Sequence, residues 1–187
     1  RPTVLAISEQ AEKGITLMLP TEQAAKNARE LESRFGLPKW QFTLSATDAN
    51  RHLIRFARHV TGKQKIAVHD YCYHGTVDET FANLAPDGST TSRKNNIGAP
   101  IPLDRTTVSI PFNDLAAAEA AFASGEVAAM LMEPALTNIG IVLPDAGYLL
   151  ANVCESVRYH PTWCAFPLPY YQTCRHLKKN RQVHSMH

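Results

Sequence analysis

Three short segments carry residue types that could do chemistry. Ser45-Ala46-Thr47 stands where an extended stretch turns into a helix. Backbone N–H groups at a helix N-terminus and the positive end of the helix dipole bind phosphate, and hydroxyl side chains there add donors. The same residue types also serve as plain helix caps. Tyr71-Cys72-Tyr73-His74-Gly75 follows a short apolar run. The carboxyl ends of parallel strands form the binding crevice of an α/β sheet, so an aromatic ring and a His at that edge could stack on and hydrogen-bond a flat ligand. Otherwise they are rim residues around a glycine turn. In Met132-Glu133-Pro134-Ala135-Leu136-Thr137-Asn138-Ile139-Gly140 a carboxylate ends a continuous apolar run. Burying it without a partner is costly, so Glu133 either faces solvent or belongs to a site. A separate arrangement uses His74 with Asp78 or Glu79 as an acid/base pair.

Positioning these segments is the task of the elements around them. Thr21 to Phe35 spaces Ala24, Ala28, Leu31 and Phe35 as one helix face, with Thr21 as cap and Gly36 as stop. Trp40 to Leu44 alternates apolar with polar and reads as a strand. A helix from about Asp48 to Val60 sets Leu53, Ile54, Phe56 and Ala57 against Arg51, Arg55 and Arg58, and ends before Gly62. Lys65 to His69 is a second strand. The pattern recurs with a strand at Thr106 to Ile110, an alanine-rich helix capped by Asn113 or Asp114 and ending at Gly125, and a buried strand at Val127 to Met132. Between them, Pro86 to Pro102 reads as one long loop. Repeated strand–helix–strand units predict an α/β fold with a mainly parallel sheet and flanking helices, and place the three segments on one edge.

Composition narrows the classes. The chain has 187 residues, 44% hydrophobic and 19% charged, which suits a globular domain. A net charge of +2 gives no electrostatic case for nucleic acid or an anionic membrane as partner. No run approaches the roughly 18 to 20 apolar residues that span a bilayer, and no leader pattern opens the chain, so a soluble, cytoplasmic protein is expected. Arg1 in place of Met points to a processed or partial chain. Residues 1–153 hold 14 basic and 16 acidic residues, whereas 154–187 hold 5 and 1, with three of the four cysteines. That tail has three prolines and no apolar period. Its Cys164, Cys174, His176, His184 and His187 are zinc-ligand types, but their gaps do not match paired close spacings, so no metal is expected.

From Gly14 to Gly147 the chain resembles the large domain of the class III, fold type I, pyridoxal-phosphate aminotransferases, and among them the glutamate-1-semialdehyde 2,1-aminomutases. The resemblance rests on Leu19-Pro20-Thr21-Glu22, Phe42-Thr43-Leu44-Ser45-Ala46-Thr47-Asp48-Ala49-Asn50, Arg55 to Ile66, Tyr73-His74-Gly75, and Glu133-Pro134 with Asn138 and Gly140, all in the family's order. It implies pyridoxal 5′-phosphate as cofactor, a small-molecule amino donor and acceptor, and a homodimer. The turn matching Ser45, Ala46 and Thr47 then holds the phosphate, and Tyr73 stacks on the pyridine ring. His74 and Gly75 complete that motif, and Glu133 and Asn138 lie beside the cofactor, with Asn138 near its phenolic oxygen and the substrate. The family usually has glycine where Ala46 stands.

The family also continues through a strand ending in Asp-Glu, whose Asp pairs with the pyridinium nitrogen, to a lysine that binds the cofactor covalently. Here no Asp follows Asp145, and the later lysines are Lys178 and Lys179, in a basic stretch of different context. The expectation is therefore a partial domain with no catalytic residue of its own, inactive alone. The alternative is a non-catalytic remnant or dimerising partner. The expected organisation is an N-terminal segment and helix over 1–38, a partial cofactor-binding domain over 39–153, and an unrelated or disordered tail over 154–187, as an aberrant junction would produce.

Overall fold

The computed structural model describes residues 1–15, 19–98 and 101–152. Two compact units divide at Phe42/Thr43. In the first, α1 (Pro2–Lys13) opens with Pro2, whose missing N–H costs nothing at that position. Sequence reading did not anticipate this helix, because Val4, Leu5, Ala6 and Ile7 run consecutively and hide any period. The expected helix is α2 (Glu22–Phe35): Thr21 Oγ1 accepts the Ala24 N–H at 3.3 Å, and Gly36 stops it at φ 69°. Neither helix contains a buried residue.

Trp40 to Leu44 is not a strand, contrary to expectation. Trp40 Nε1 donates to the Leu37 carbonyl at 2.8 Å, and Leu44 is fully exposed. Alternating residue types make a strand only where a neighbour offers a ladder of partners, and none of the described strands pairs with this stretch.

The second unit is built on α3 (Ala46–Thr61), β1 (Lys65–His69), β2 (Ala82–Leu84), β3 (Thr90–Ser92), β4 (Thr107–Ile110), α4 (Leu115–Ala123) and β5 (Val127–Leu131). Ser45 caps α3 and Gly62 ends it at φ 68°; Asp114 caps α4 by accepting the Ala117 N–H at 2.9 Å. The central sheet has the order β4–β1–β5 and is parallel throughout. Ile66 is level with Thr107 of β4 and Ala129 of β5. This is the α/β architecture with flanking helices that the sequence predicts, although only the second strand–helix–strand unit, β4–α4–β5, is complete, and it spans β1.

Side-chain alternation sends β1 to both faces. Ile66 and Val68 pack with Ile54 and Ala57 of α3, together with Cys72, Val77, Leu131 and Leu136. Ala67 joins Ile110, Ala118, Ala121, Phe122 and Val127. The stretch expected as one long loop contains β3, antiparallel to β2. Asp87 Oδ1 accepts the Ser89 N–H at 2.9 Å, and Gly88 takes φ 83°, so Pro-Asp-Gly makes a hairpin turn. A three-residue strand of Thr-Thr-Ser is too short to show a period.

Candidate functional site

The first candidate lies at the N-terminus of α3. Ser45 Oγ accepts the Asp48 N–H at 3.2 Å and donates to Asp48 Oδ2 at 2.8 Å, so its side chain acts as a cap. The cap leaves the N–H groups of Ala46 and Thr47 with no partner among the described residues, at the positive end of a helix of 16 residues. Two free donors at that end are an anion site in outline.

The loop leaving β1 brings the second candidate to the first. Asp70 turns the chain by accepting at Oδ1 from Tyr71 N, Leu84 N and Asn83 Nδ2, at 3.1, 3.0 and 2.6 Å. Tyr71 takes φ 61°, a left-handed conformation that a bulky residue adopts only under constraint. Thr47 Oγ1 accepts the Thr76 N–H at 3.0 Å, Asn50 Nδ2 donates to the His74 carbonyl at 2.9 Å, and Arg51 Nη2 reaches the Thr76 carbonyl at 3.4 Å. Gly75 sits against the helix at φ 81°, and a Cβ on it would lie 2.2 Å from Thr47 Oγ1. Glycine is therefore required here twice over, by backbone conformation and by space. Tyr71 and Tyr73 leave half their surface to solvent.

Glu133, two residues past the end of β5, closes the third side. Its Oε1 accepts the Tyr73 N–H at 2.9 Å, and Oε2 accepts Thr137 N–H and Oγ1 at 3.2 and 3.0 Å. Both carboxylate oxygens accept hydrogen bonds, which answers the cost of placing the group at an apolar strand end. Asn138 Nδ2 donates to the Tyr71 carbonyl at 3.4 Å. Ser45, Ala46, Thr47, Tyr73, His74, Glu133 and Asn138 are thus brought to one edge of the parallel sheet.

Two histidines lie beneath that edge. His69 is buried at the end of β1, with Nε2 2.9 Å from the Tyr148 hydroxyl and its ring edge-on to Phe112 at 4.8 Å. Burial, then the neighbouring His74, push its pKa down to about 4, against the pull of Glu133. Burial also lowers His74, with Glu133 opposing, and its Nε2 is buried with no hydrogen-bond partner among the described residues. Both rings are neutral near pH 7. Cys72 is buried, its thiol pushed up to about 12 by that burial, and so is no nucleophile here.

The acid/base pairing of His74 with Glu79 does not form. Glu79 Oε1 lies 2.7 Å from Arg58 Nη1, an ion pair with both side chains largely covered. Sequence reasoning passed over Asn50, Asp70, His69 and Tyr148. Only the position of Asn50, one turn past Thr47 on the same helix, signalled it. Among the described residues no group of three His, Cys, Asp or Glu could hold a metal, and no helix is long and apolar enough to cross a membrane. The zinc-ligand types of the tail, and the whole of 154–187, lie outside the described residues.

Against known proteins, residues 1–158 match the model of the class-III aminotransferases. A glutamate-1-semialdehyde 2,1-aminomutase of Sorangium cellulosum is 34% identical over 163 residues, covering 85% of this chain and 37% of that protein. The crystal structure of a glutamate-1-semialdehyde aminomutase from Pseudomonas aeruginosa superposes with a TM-score of 0.79 at 43% identity, over 84% of this chain and 35% of that one. A lysine-to-alanine form of the same enzyme has been solved in complex with PMP. An omega-transaminase from Sphaerobacter thermophilus gives 0.73 at 29% identity, over 83% of this chain and 37% of that one. The chain thus spans about a third of the length of the relatives it matches. Through residues 1–158, which include the whole sheet and the edge built around it, this chain belongs to the class-III aminotransferase family.

Proposed function

We propose that this chain holds pyridoxal 5′-phosphate at the carboxyl edge of its sheet, for amino-group transfer on amino acids or amino aldehydes of the kind named for its aminomutase and transaminase relatives. One observation carries the reading. Three segments far apart in sequence are cross-linked by Thr47–Thr76, Asn50–His74 and Tyr73–Glu133 hydrogen bonds into one edge that offers free N–H donors beside an exposed aromatic ring.

The residues suit the cofactor. Ala46 and Thr47 would take the phosphate through their N–H groups. Thr47 Oγ1 accepts from Thr76, so its own proton is free to donate to the same anion. Ala46, where the family usually has glycine, is exposed at the helix start and brings only a methyl group to the approach. Tyr73 would cover one face of the pyridine ring. Glu133 fixes the Tyr73 backbone and would stand beside the cofactor, with Asn138 toward the phenolic oxygen and the substrate. Bound there, the cofactor supplies the electron sink of the transfer, and the protein supplies binding and orientation.

Within these 187 residues no lysine or Asp occupies the family's covalent or pyridinium-pairing context, so our reading includes no turnover by this chain alone; robust transamination by the pure chain would contradict it. A homodimer fits the exposed Ile139, Ile141 and Leu143 beside Asn138, and sedimentation of the pure chain tests it. The cofactor reading is tested by titrating the chain with pyridoxal phosphate and following visible absorbance, then reducing with borohydride and mapping any modified lysine. Saturable binding is expected. Its absence would leave the family membership standing and remove the function.

A further inference from the structure

We propose that Asn50 is a positioning residue of this site, latching the Tyr73–Thr76 loop to α3 so that the exposed aromatic ring and the anion-holding helix end act as one rigid unit. The proposal rests on the cofactor reading above for its consequence, but not for its geometry.

Thr47, Asn50 and Arg51 stand at i, i+3 and i+4, which puts them on one face of α3. Each meets a backbone atom of the loop: Thr76 N at 3.0 Å, the His74 carbonyl at 2.9 Å and the Thr76 carbonyl at 3.4 Å. The three bonds are unequal. Arg51 makes a long, exposed contact, and Thr47 Oγ1 is shared with whatever anion sits at the helix end. Asn50 alone gives a short, partly buried bond to a carbonyl with no other partner among the described residues.

The loop needs such a bond. Tyr71 is held at φ 61°, and Gly75 at φ 81° is pressed against Thr47. A bulky residue in that region is strained and relaxes unless its surroundings hold it. On the β5 side Glu133 holds the Tyr73 N–H, and on the α3 side Asn50 holds the carbonyl of the following residue, His74. The Tyr73–His74 pair is therefore clamped between bonds of opposite sense, on the peptide units at its two ends. Fixing the ring before the ligand arrives removes an ordering cost that binding would otherwise carry.

Asn50→Asp tests this, since it keeps the side chain's size and replaces the donor with an acceptor facing a carbonyl; Asn50→Ala is the second variant. Two readouts are compared with the wild-type chain. In the free protein, amide exchange at Tyr73 and Thr76 rises about tenfold while the β1 amides keep their protection. In titrations of Asn50→Ala, which adds no charge near the helix end, pyridoxal phosphate weakens about tenfold while inorganic phosphate changes by less than about twofold. Unchanged loop exchange, or equal weakening of both ligands, overturns the proposal. Loss of protection across β1 in both variants overturns it too, since a residue that the whole sheet requires is not a latch. A wild-type chain that never saturates with pyridoxal phosphate refutes the cofactor reading, and the exchange readout still decides the latch.

Discussion

On the α4 side of the sheet, Ala67, Ala118, Ala121, Phe122 and Val127 meet as apolar side chains, whereas at the carboxyl edge the contacts of Thr47, Asn50, Glu133 and Asn138 each join a side chain to a backbone atom of the 71–76 loop. The first arrangement depends on volume, and any apolar set of similar size fills it. The second depends on single atoms: one donor exchanged for an acceptor undoes it while the volume stays the same. Damage to the two regions should therefore separate, with stability lost on one side and ligand affinity on the other.

The largest effect should come from Phe122→Ala. Phe122 is nearly fully buried, and removing its ring leaves a cavity that costs about 3 to 5 kcal/mol. Thermal melts should show this loss in full, while the folded fraction binds pyridoxal phosphate as before. A matching fall in affinity would erase the distinction between the regions.

His69 sharpens the comparison, because by strand alternation it shares the face of Ala67 yet lies under the edge. Its ring is neutral in the fold, with a pKa lowered from 6.5 to about 4 by burial first and by His74 second. Between those values the unfolded chain binds a proton that the folded chain refuses. Stability should therefore fall as pH drops through 6.5, by up to about 3 kcal/mol, and level off below about 4. Urea melts from pH 7.5 to 4 should show this slope, reduced in His69→Phe to the smaller part that His74 contributes with the same sign. Parallel slopes for the two proteins would exclude His69 as the source.

Gly75→Ala should act mainly on the site. A methyl group at φ 81°, within 2.2 Å of Thr47 Oγ1, costs about 2 kcal/mol in strain and displacement, since Thr47 has to yield. Because Thr47 belongs to the anion-holding turn, affinity for pyridoxal phosphate should fall at least about tenfold, as read by calorimetric titration of the fraction still folded. Unchanged affinity would mean that the turn and the loop are independent.

The same contrast governs what could be read from the sequence. Val127 to Leu131 and Ile66 to Val68 are short apolar runs whose burial follows from composition, and Ser45, Gly62 and Asp114 mark helix ends by their own chemistry. That the segments after β1 and β5 meet follows from the rule that parallel strands present their carboxyl ends together. Trp40 to Leu44 misled because alternation states a preference and not a partner. The bonds of Asn50 and Asp70 were hidden because each links a side chain to a backbone atom more than ten residues away, and residue type alone does not specify such an approach. His69 reads as an ordinary strand-end polar residue until Phe112 and Tyr148 close over it.

The central claim, that this edge takes a phosphate-bearing pyridine, is tested most directly by titrating isotope-labelled chain with pyridoxamine 5′-phosphate and following its amide and aromatic resonances. The expected result is saturable shifts at the Ala46 and Thr47 amides, together with the Tyr73 ring. Shifts confined to the cleft lined by Arg51, Arg55 and Arg58, with Ala46, Thr47 and Tyr73 unmoved at saturation, would contradict the account.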